Sequence, residues 1–344
     1  MNAKAVACPD KFRGSLDAAA AAAAMARGLR TAGFTEVVEV PLADGGEGTL
    51  DALLAARGGS RRTARVTGPL GGTIEAEWAR LSDGTAVVEM ARASGLALVE
   101  GHRDPLRANT RGTGELIAAA ARAGAARVIV CVGGSASTDG GLAAVEALGW
   151  SLAGLDVVVA CDVGTRFTEA GAVYGPQKGA SAAQVALLTR RLEQLAGVYR
   201  QRTGVDVTEL EGGGAAGGLA GGLAAIGARL EPGFEVVAQA AGLDAAFDGA
   251  ELVVTGEGKL DVTSFEGKVV GGVLEWAADA GVAHRAAIVG QATDAAREEA
   301  SVLGDVQVLA LTDRVWQAGE AFARAAVLVE EAAVEAGRRA LGKG

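Results

Sequence analysis

The segment EVVEVPLADGGEGTLDALLAAR, residues 36–57, contains the pattern that decides the fold: a short apolar strand, a glycine-rich loop and a helix. It predicts the strand over Glu36–Pro41 and the helix over Thr49–Arg57. The same order begins upstream, where a predicted strand over Ala3–Ala7 precedes a predicted helix from Leu16 to about Thr31. Strands that alternate with helices are typical of a parallel sheet with crossover helices. The sequence therefore predicts an α/β fold.

Five loops of this chain place glycines beside carboxylates, and nearly all of them follow an apolar strand. Glycine allows backbone N–H groups to approach a ligand closely, and successive N–H groups form anion-binding nests. The carboxylates would repel a bare phosphate, but Mg²⁺ held by one or two carboxylates and by substrate phosphates removes that conflict. The pattern predicts a nucleotide-phosphate site with a metal ion at the ends of strands. The five loops are Ala43–Thr49, Val132–Gly141, Gly175–Ser181, Gly212–Gly218 and Thr255–Asp261.

The middle of the chain departs from the simple alternation of strands and helices. Residues Thr73–Leu81 and Thr85–Ala91 alternate in polarity around an Asp-Gly pair, which is a hairpin signal. We therefore predict an inserted, mixed α/β domain over residues 67–284. The two ends of the chain, residues 1–66 and 285–344, would form one discontinuous domain with a parallel sheet of Rossmann or flavodoxin type. The chain is predicted to end in a long helix from about Trp316 to Leu341.

The composition argues against several classes of protein. The 344 residues are 50% hydrophobic and 22% charged, which suits a packed core and not a disordered chain. The net charge of −10 disfavours nucleic-acid binding, because that function needs a basic surface. No segment reaches about 20 apolar residues, so we expect no membrane span. The three cysteines lie in apolar runs and suit a reducing compartment, so we expect a cytoplasmic protein.

A dinucleotide-binding pattern, Gly212-x-Gly214-x-x-Gly217, leaves an NAD-dependent oxidoreductase as an alternative. A weak strand predicted over Val205–Leu210 precedes these glycines, as that pattern requires. The nearest acidic residue at the required distance is Glu231. A chain this rich in glycine often matches the pattern by chance. The alternative therefore depends on whether residues Val205–Leu210 form the required strand.

A series of segments stands in a fixed order along essentially the whole chain. The segments are CPDKFRGSL (8–16), PLADGGEGT (41–49), VVEMARASGLALV (87–99), TRGTGELI (110–117), VGGSASTDGG (132–141), ACDV (160–163), YGPQKGA (174–180), GGGAAGGL (212–219), TGEGKLD (255–261) with GKVVGGV (267–273), and ALTDR (310–314). In content and order they resemble the bacterial glycerate kinase family (type I), whose members mostly resemble glycerate 2-kinases. The resemblance implies an ATP-dependent kinase that phosphorylates D-glycerate, with two α/β domains and a cleft between them. One departure is the stretch Gly164–Phe167, where the family usually carries an Asn-Pro-Leu turn.

The chemistry of such a kinase suggests roles for individual residues. Arg13 is the favoured ligand of the glycerate carboxylate, with Lys11 second, because a planar guanidinium can bind a carboxylate through two bonds. Asp162 follows a buried strand and is the predicted catalytic base, with Asp44 and Asp139 as alternatives. The predicted Mg²⁺ ligands are Asp44, Asp139 and Asp261. The other predicted contacts are Gly45, Gly46, Glu47, Arg92 and Arg111 for the substrate, and Gly133, Gly134, Ser135, Lys178, Gly213, Gly214, Gly256, Glu257, Lys259 and Lys268 for the nucleotide.

The resemblance favours 2-phosphoglycerate as the product, with phosphorylation of the 3-hydroxyl as the alternative. A non-catalytic protein that binds sugar acids is a further alternative, although a binder has no need for so many carboxylate-glycine loops. The expected partners are D-glycerate and ATP, with neither nucleic acid nor membrane. The oligomeric state stays open, with a homodimer as the expectation.

Overall fold

The structure, a computed structural model, describes residues 3–343 of the chain. Within this range short strands alternate with helices, as the sequence predicts. The strands are β1 (Lys4–Ala7), β2 (Glu36–Glu39), β3 (Gly59–Thr67), β4 (Thr73–Leu81), β5 (Ala86–Glu89), β6 (Arg127–Cys131), β7 (Asp156–Ala160), β8 (Arg229–Glu231), β9 (Leu252–Leu260), β10 (His284–Ala292) and β11 (Val306–Ala310). The α-helices are α1 (Ala18–Ala32), α2 (Thr49–Arg57), α3 (Ala91–Ser94), α4 (Arg111–Arg122), α5 (Leu142–Ala147), α6 (Ala170–Tyr174), α7 (Ala182–Thr203), α8 (Ala215–Ala225), α9 (Gly233–Ala241), α10 (Leu243–Phe247), α11 (Val269–Asp279), α12 (Asp294–Val302), α13 (Ala318–Ala323) and α14 (Ala325–Ala340).

The strands form two sheets of different type. The first has the order β11-β10-β9-β1-β2, and all its strands are parallel. Counted along the chain this is the order 2-1-3-4-5, which is that of flavodoxin-like sheets. The second has the order β3-β4-β5-β6-β7-β8; β5 to β8 are parallel, whereas β3-β4 and β4-β5 are antiparallel pairs. The predicted fold class, a parallel-sheet domain of Rossmann or flavodoxin type with a mixed α/β domain, is confirmed.

Each sheet belongs to its own compact unit. Of the described residues, the first unit contains 3–44, 51–57 and 237–343, and the second contains 45–50 and 58–236. The boundaries expected from the sequence, after residues 66 and 284, lie elsewhere. β3 pairs with β4 and so joins the second sheet, while β9 pairs with both β1 and β10 and so joins the first. Strands and helices alternate in the same way on both sides of residue 237, where the two units meet in the chain. The alternation therefore does not indicate a boundary there.

The core of the first unit is built on close contact between α1 and α14. A Cβ on Gly28 of α1 would lie 2.2 Å from the carbonyl oxygen of Glu330, so only glycine allows the helices to approach this closely. Helix α1 begins at Ala18 and not at Leu16 as predicted. The reason is Asp17, whose side chain accepts the N–H of Ala20 at 2.7 Å and caps the helix.

Other stretches also differ from the predicted secondary structure. β3 was not predicted, because it is an exposed strand at the edge of its sheet and carries three arginines in place of an apolar run. The predicted strand over Val205–Leu210 is wrong: Asp206 accepts the N–H of Thr208, and a short 3₁₀ turn over Val207–Glu209 forms there. The predicted loop TGEGKLD is largely strand, since β9 continues to Leu260.

The predicted C-terminal helix is interrupted. It consists of α13 and α14, which are separated at Arg324, a residue with non-helical backbone angles. Trp316 lies before α13 and is fully exposed. Across the described range, no helix combines the length and apolar character that a membrane span requires.

Candidate functional site

A cavity of about 530 Å³ opens at the carboxyl edge of the five-stranded sheet, within the first unit. Its walls come from the segments that follow the strands of that sheet, including Asp10–Arg13 after β1 and Asp44 after β2. Open α/β sheets bind ligands at this edge, where the strand order reverses. In this sheet the reversal lies between β1 and β9. Six residues predicted to bind substrate, metal or nucleotide line the cavity, namely Lys11, Arg13, Asp44, Glu257, Lys259 and Lys268.

The cavity contains two carboxyl groups whose pKa lies near neutrality. Burial raises the pKa of Asp10 to about 6, and the charge of Asp44 adds to that rise. Burial also raises the pKa of Glu257 to about 7, with a further contribution from Asp10. Within residues 3–343 the buried Oε1 of Glu257 has no hydrogen-bond partner. Perturbed carboxyl groups in a concave site are a mark of function, because ordinary surface carboxylates are not held in this way.

Cationic groups of the cavity suit phosphate or carboxylate ligands. Helix α11 begins at the cavity wall with Val269, and the N–H groups of a helix N-terminus favour anions. Lys268 lies immediately before that helix, and its ammonium donates to Thr263 Oγ1 at 2.7 Å. Lys259 and Arg13 line the same cavity and are exposed. The positive end of α11 and these side chains together offset the carboxylates.

Gly256 has a packing role in this unit. A Cβ at this position would lie 1.9 Å from the carbonyl oxygen of Ile288, so glycine allows β9 and β10 to pair. The carbonyl of Gly256 accepts the N–H of Asp10 at 2.8 Å. Gly256 therefore positions Asp10. The contact of Gly256 with the nucleotide stays a prediction.

Asp261 lies outside the lining of the cavity. It accepts hydrogen bonds from the backbone N–H and the hydroxyl of Thr263, at 3.1 and 2.7 Å, and it pairs with Lys259 at 3.1 Å. The bonds from Thr263 and the neighbouring Lys259 hold the pKa of Asp261 below its usual range. Asp261 therefore caps a 3₁₀ turn, and its role as a metal ligand stays a prediction.

In the second unit, the loop Gly45–Leu50 lies on the carboxyl edge of the mixed sheet. Glu89, the last residue of β5, is buried, and its Oε1 accepts the N–H groups of Gly48 and Leu50, each at 2.9 Å. Its other oxygen accepts from Arg92 Nε at 2.7 Å. Glu89 was not among the predicted site residues. It anchors the predicted substrate loop.

The glycines of two predicted loops meet at the same edge of the second unit. A Cβ on Gly133 would lie 3.0 Å from the Cα of Gly46. Gly45 has a φ of +85°, and a Cβ there would lie 3.0 Å from the Cβ of Ala160, the last residue of β7. Glycines therefore allow the two loops to touch. Three further residues of these loops are partly buried or exposed. They are Glu47, which is predicted to bind the substrate, and Gly134 and Ser135, which are predicted to bind the nucleotide.

The predicted base Asp162 and the predicted substrate ligands Arg92 and Arg111 have structural partners. Asp162 Oδ1 accepts the N–H of Gly233, the first residue of α9, at 2.6 Å. Arg92 bridges Glu89 and Glu77, with nitrogen–oxygen distances of 2.7 and 2.6 Å. Arg111 forms an exposed ion pair with Glu146 at 3.5 Å. The contact of Asp162 caps helix α9. The ion pairs of Arg92 and Arg111 join neighbouring secondary-structure elements.

Asp139 and Lys178 are committed to the interior of the second unit. Asp139 Oδ2 accepts the N–H and the hydroxyl of Thr110, at 2.9 and 2.8 Å, so it fixes the start of α4. Lys178 is 1% exposed, and its ammonium donates to the carbonyl of Ser137 and, at 3.4 Å, to Thr138 Oγ1. Burial lowers the pKa of Lys178 to about 7, against the opposing charge of Asp139. These bonds hold the glycine loop from within; the metal role of Asp139 and the phosphate role of Lys178 stay predictions.

The loop Gly212–Gly218 is also buried. A Cβ on Gly214 would lie 2.4 Å from the carbonyl oxygen of Arg166, and Gly213 packs against the carbonyl oxygen of Leu210. These glycines serve close packing and do not form the open nest predicted for a nucleotide. The dinucleotide pattern also loses its required strand, because residues 207–209 form a 3₁₀ turn.

The predicted metal ligands belong to both units of the chain, Asp44 and Asp261 to the first and Asp139 to the second. Asp44 lines the first cavity, Asp139 lines a separate cavity of about 300 Å³ in the second unit, and Asp261 lines neither. Among residues 3–343, no three histidine, cysteine, aspartate or glutamate side chains are grouped as they would be around a metal ion. The described residues therefore supply no metal cage made of protein side chains alone.

Comparison with known proteins gives consistent matches. The model of the glycerate kinase family matches residues 5–154 and 151–341 of this chain. Glycerate 2-kinase of Escherichia coli (strain K12) is 42% identical, over 78% of this chain and 81% of that protein. A glycerate kinase of Halalkalibacterium halodurans is 37% identical, over 95% of this chain and 96% of that protein. A crystal structure assigned to glycerate kinase 2 of Salmonella typhimurium LT2 is similar with a TM-score of 0.84 and 32% identity, over 99% of both chains.

Proposed function

The chain belongs to the glycerate kinase family, whose members transfer phosphate to an alcohol group, and we propose that it transfers the γ-phosphoryl group of ATP to D-glycerate. One observation carries the proposal in structural terms. A single cavity at the sheet edge combines cations, a helix N-terminus and near-neutral carboxyls. Phosphoryl transfer needs such groups to position two anions and to accept one proton.

The cations of the cavity have two tasks in this proposal. Arg13 and Lys11, which follow β1, bind the carboxylate of glycerate, and the guanidinium can do so through paired bonds. Lys259, Lys268 and the start of α11 bind phosphate oxygens. The net charge of the chain is −10, so an anionic substrate depends on this local positive charge.

Glu257 supplies a different kind of contact. Its pKa of about 7 means that a large fraction of the side chain is protonated at neutral pH. A neutral carboxyl group can donate a hydrogen bond, which an ionised one cannot. We assign to Glu257 a hydrogen bond to a phosphate oxygen of the nucleotide.

Mg²⁺ enters the proposal together with ATP. The described residues contain no cluster of three side chains suited to a metal ion, so a site made of protein side chains alone does not fit. Magnesium in kinases keeps waters and takes most of its ligands from substrate phosphates. Turnover should therefore stop with excess EDTA and return when Mg²⁺ is added. Full activity in EDTA would contradict this part of the proposal.

The 2-hydroxyl is the proposed acceptor. The name of the Escherichia coli relative, glycerate 2-kinase, supports this choice, and the resemblance of the sequence segments agrees with it. The test is a coupled ADP-release assay with D-glycerate and Mg-ATP, followed by ³¹P and ¹H NMR of the product. 2-Phosphoglycerate is the expected product. 3-Phosphoglycerate would shift the acceptor to the other hydroxyl, and absence of ADP release would overturn the proposed function. Cytoplasmic location and homodimer formation stay predictions.

A further inference from the structure

Asp10 lies at the switch point of the five-stranded sheet, between the ends of β1 and β9. Its N–H donates to the carbonyl of Gly256 at 2.8 Å, and its Oδ1 accepts the N–H of Lys11 at 2.6 Å. The first bond fixes the backbone of Asp10 and the second fixes its carboxyl group. In both bonds the partner of Asp10 is a backbone group, so no flexible side chain is needed to orient the carboxyl. A carboxylate has about four acceptor positions, so these bonds leave capacity for a substrate hydroxyl.

Four charged side chains face the Asp10 carboxyl: Asp44 and Glu257 as acids, Lys11 and Arg13 as bases. Burial and Asp44 raise its pKa to about 6, and the two cations oppose that rise. The carboxyl group therefore lies in the cavity wall next to two cations, which favour its ionised form, the form that can accept a proton.

The other carboxylates considered as bases are used elsewhere. Asp139 accepts the N–H and the hydroxyl of Thr110, and neither Asp139 nor Asp162 lines the cavity that contains Asp10. Asp44 also lines the cavity, but it follows β2 at the outer edge of the sheet, whereas Asp10 stands at the switch point. Position therefore favours Asp10.

Asp10 and Arg13 are close enough for the charge of Arg13 to lower the pKa of Asp10. Both residues lie on the segment that follows β1, and both line one cavity. Glycerate carries its 2-hydroxyl on the carbon next to the carboxylate. A molecule held by its carboxylate at Arg13 therefore presents that hydroxyl close by, within reach of a neighbouring side chain.

We infer that Asp10 is the catalytic base that takes the proton from the reacting hydroxyl of glycerate. The inference rests on the proposed function. The O–H bond breaks and its proton passes to an Asp10 carboxylate oxygen. The alcohol oxygen forms a bond to the γ-phosphorus of ATP. The bond from that phosphorus to the β,γ-bridging oxygen breaks, and its electron pair leaves with ADP.

The test compares wild type with Asp10→Asn, Asp10→Glu and the control Asp17→Asn. Asparagine keeps the acceptor for the Lys11 N–H, so the fold should persist, but it cannot take a proton. We expect kcat of Asp10→Asn to fall about 10²–10⁴-fold, the usual range for loss of a general base. The KM for D-glycerate in the turnover assay should change by less than about threefold, since carboxylate binding belongs to Arg13. The affinity for D-glycerate, measured by calorimetry without nucleotide or metal, should also change by less than about threefold. Asp10→Glu should recover part of kcat.

The control and the wild type separate the ways in which the inference can fail. Asp17 is an exposed helix cap, and asparagine caps a helix about as well as aspartate, so Asp17→Asn should keep wild-type kcat. If the wild type itself does not phosphorylate glycerate, the proposed function fails. If the wild type is active and Asp10→Asn retains more than about a tenth of kcat, the base is not Asp10. Loss of glycerate affinity in Asp10→Asn would also overturn the inference, because it would make Asp10 a binding group. If Asp10→Asn does not fold by circular dichroism, Asp10→Glu decides: wild-type kcat together with a kcat profile flat from pH 5 to 8 would overturn the inference.

Discussion

Substitution of Glu89 tests whether one buried carboxylate holds the loop Gly45–Leu50 in place. Glu89 is 3% exposed, and one of its oxygens accepts two backbone N–H groups. In Glu89→Ala both donors lose their acceptor, at about 1–3 kcal/mol each. Its pair with Arg92 adds less, because Arg92 is 26% exposed and still pairs with Glu77. We expect the free energy of unfolding of the second unit to fall by about 4 kcal/mol, a large part of the 5–15 kcal/mol of a typical domain.

Glu89→Gln separates hydrogen bonding from charge. The amide oxygen of glutamine can accept both N–H groups, but as a neutral acceptor it is weaker than a carboxylate by about 1 kcal/mol for each bond. The expected loss is therefore about 2 kcal/mol, half that of the alanine variant. The measurement is urea denaturation followed by tryptophan fluorescence. Equal losses in the two variants, or a loss below about 1 kcal/mol in Glu89→Ala, would refute the reasoning.

The matched control is Glu115→Gln. Glu115 also anchors backbone, since it accepts the N–H and the hydroxyl of Thr67 at 2.6 and 3.1 Å, but it is not part of a glycine loop. Both glutamine variants should lose stability. Only Glu89→Gln should also lose kcat/KM, by about tenfold or more, because the loop is predicted to bind the substrate and small displacements of a binding group are costly. A similar loss of kcat/KM in both variants would mean that the activity follows stability and not the position of the loop.

Three further predictions concern single side chains. Arg13→Ala should raise the KM for glycerate about 10- to 100-fold and that for ATP much less, with partial recovery in Arg13→Lys; equal effects on both substrates would indicate a phosphate role. The folded-state pKa of Glu257 is raised from 4.5 to about 7, so its ionisation destabilises the fold as pH rises through that window. Wild type should therefore lose roughly 2 kcal/mol relative to Glu257→Gln between pH 5 and 7.5 in urea titrations, and parallel curves would contradict the burial of this group. Asp162→Asn keeps an acceptor for the Gly233 N–H and should change kcat by less than about fivefold, whereas a 100-fold loss would restore Asp162 as the base.

The sequence predicted the fold class because its signals are local. Each short apolar run next to a glycine loop identifies a strand end, and the Asp-Gly pair identifies the hairpin β4-β5. β3 lacked such a signal, since Ser60–Arg65 is polar and forms an exposed edge. The boundary near residue 237 was also invisible, because partner choice in a sheet depends on contacts between distant segments.

Loop composition predicted the cavity better than it predicted roles within it. Glycine has two uses that look the same in a sequence: it opens a nest for a ligand, or it lets two backbones touch. At Gly214 and Gly256 the second use prevails, with backbone oxygens where a Cβ would lie. A carboxylate is ambiguous in the same way, because capping a helix and binding a ligand both need acceptors near N–H groups. Asp139 and Asp162 are of the capping kind.

The reasoning that favoured Asp162 applies equally to Asp10, since both aspartates lie within three residues of the end of a buried strand. The position after a buried strand is not sufficient, because the order of the strands in the sheet decides whether a cavity lies there. β7 lies inside a sheet whose order runs in one direction from β5 to β8, whereas β1 adjoins the reversal of its sheet. At such a reversal, the connections that follow the two neighbouring strands run to opposite faces of the sheet. A space therefore opens between them, and a ligand can enter it. An aspartate at the end of β1 therefore faces a cavity, and an aspartate at the end of β7 meets the start of a helix. Because strand order is set by pairing between distant segments, the sequence alone predicted Asp162 as the base and did not identify Asp10.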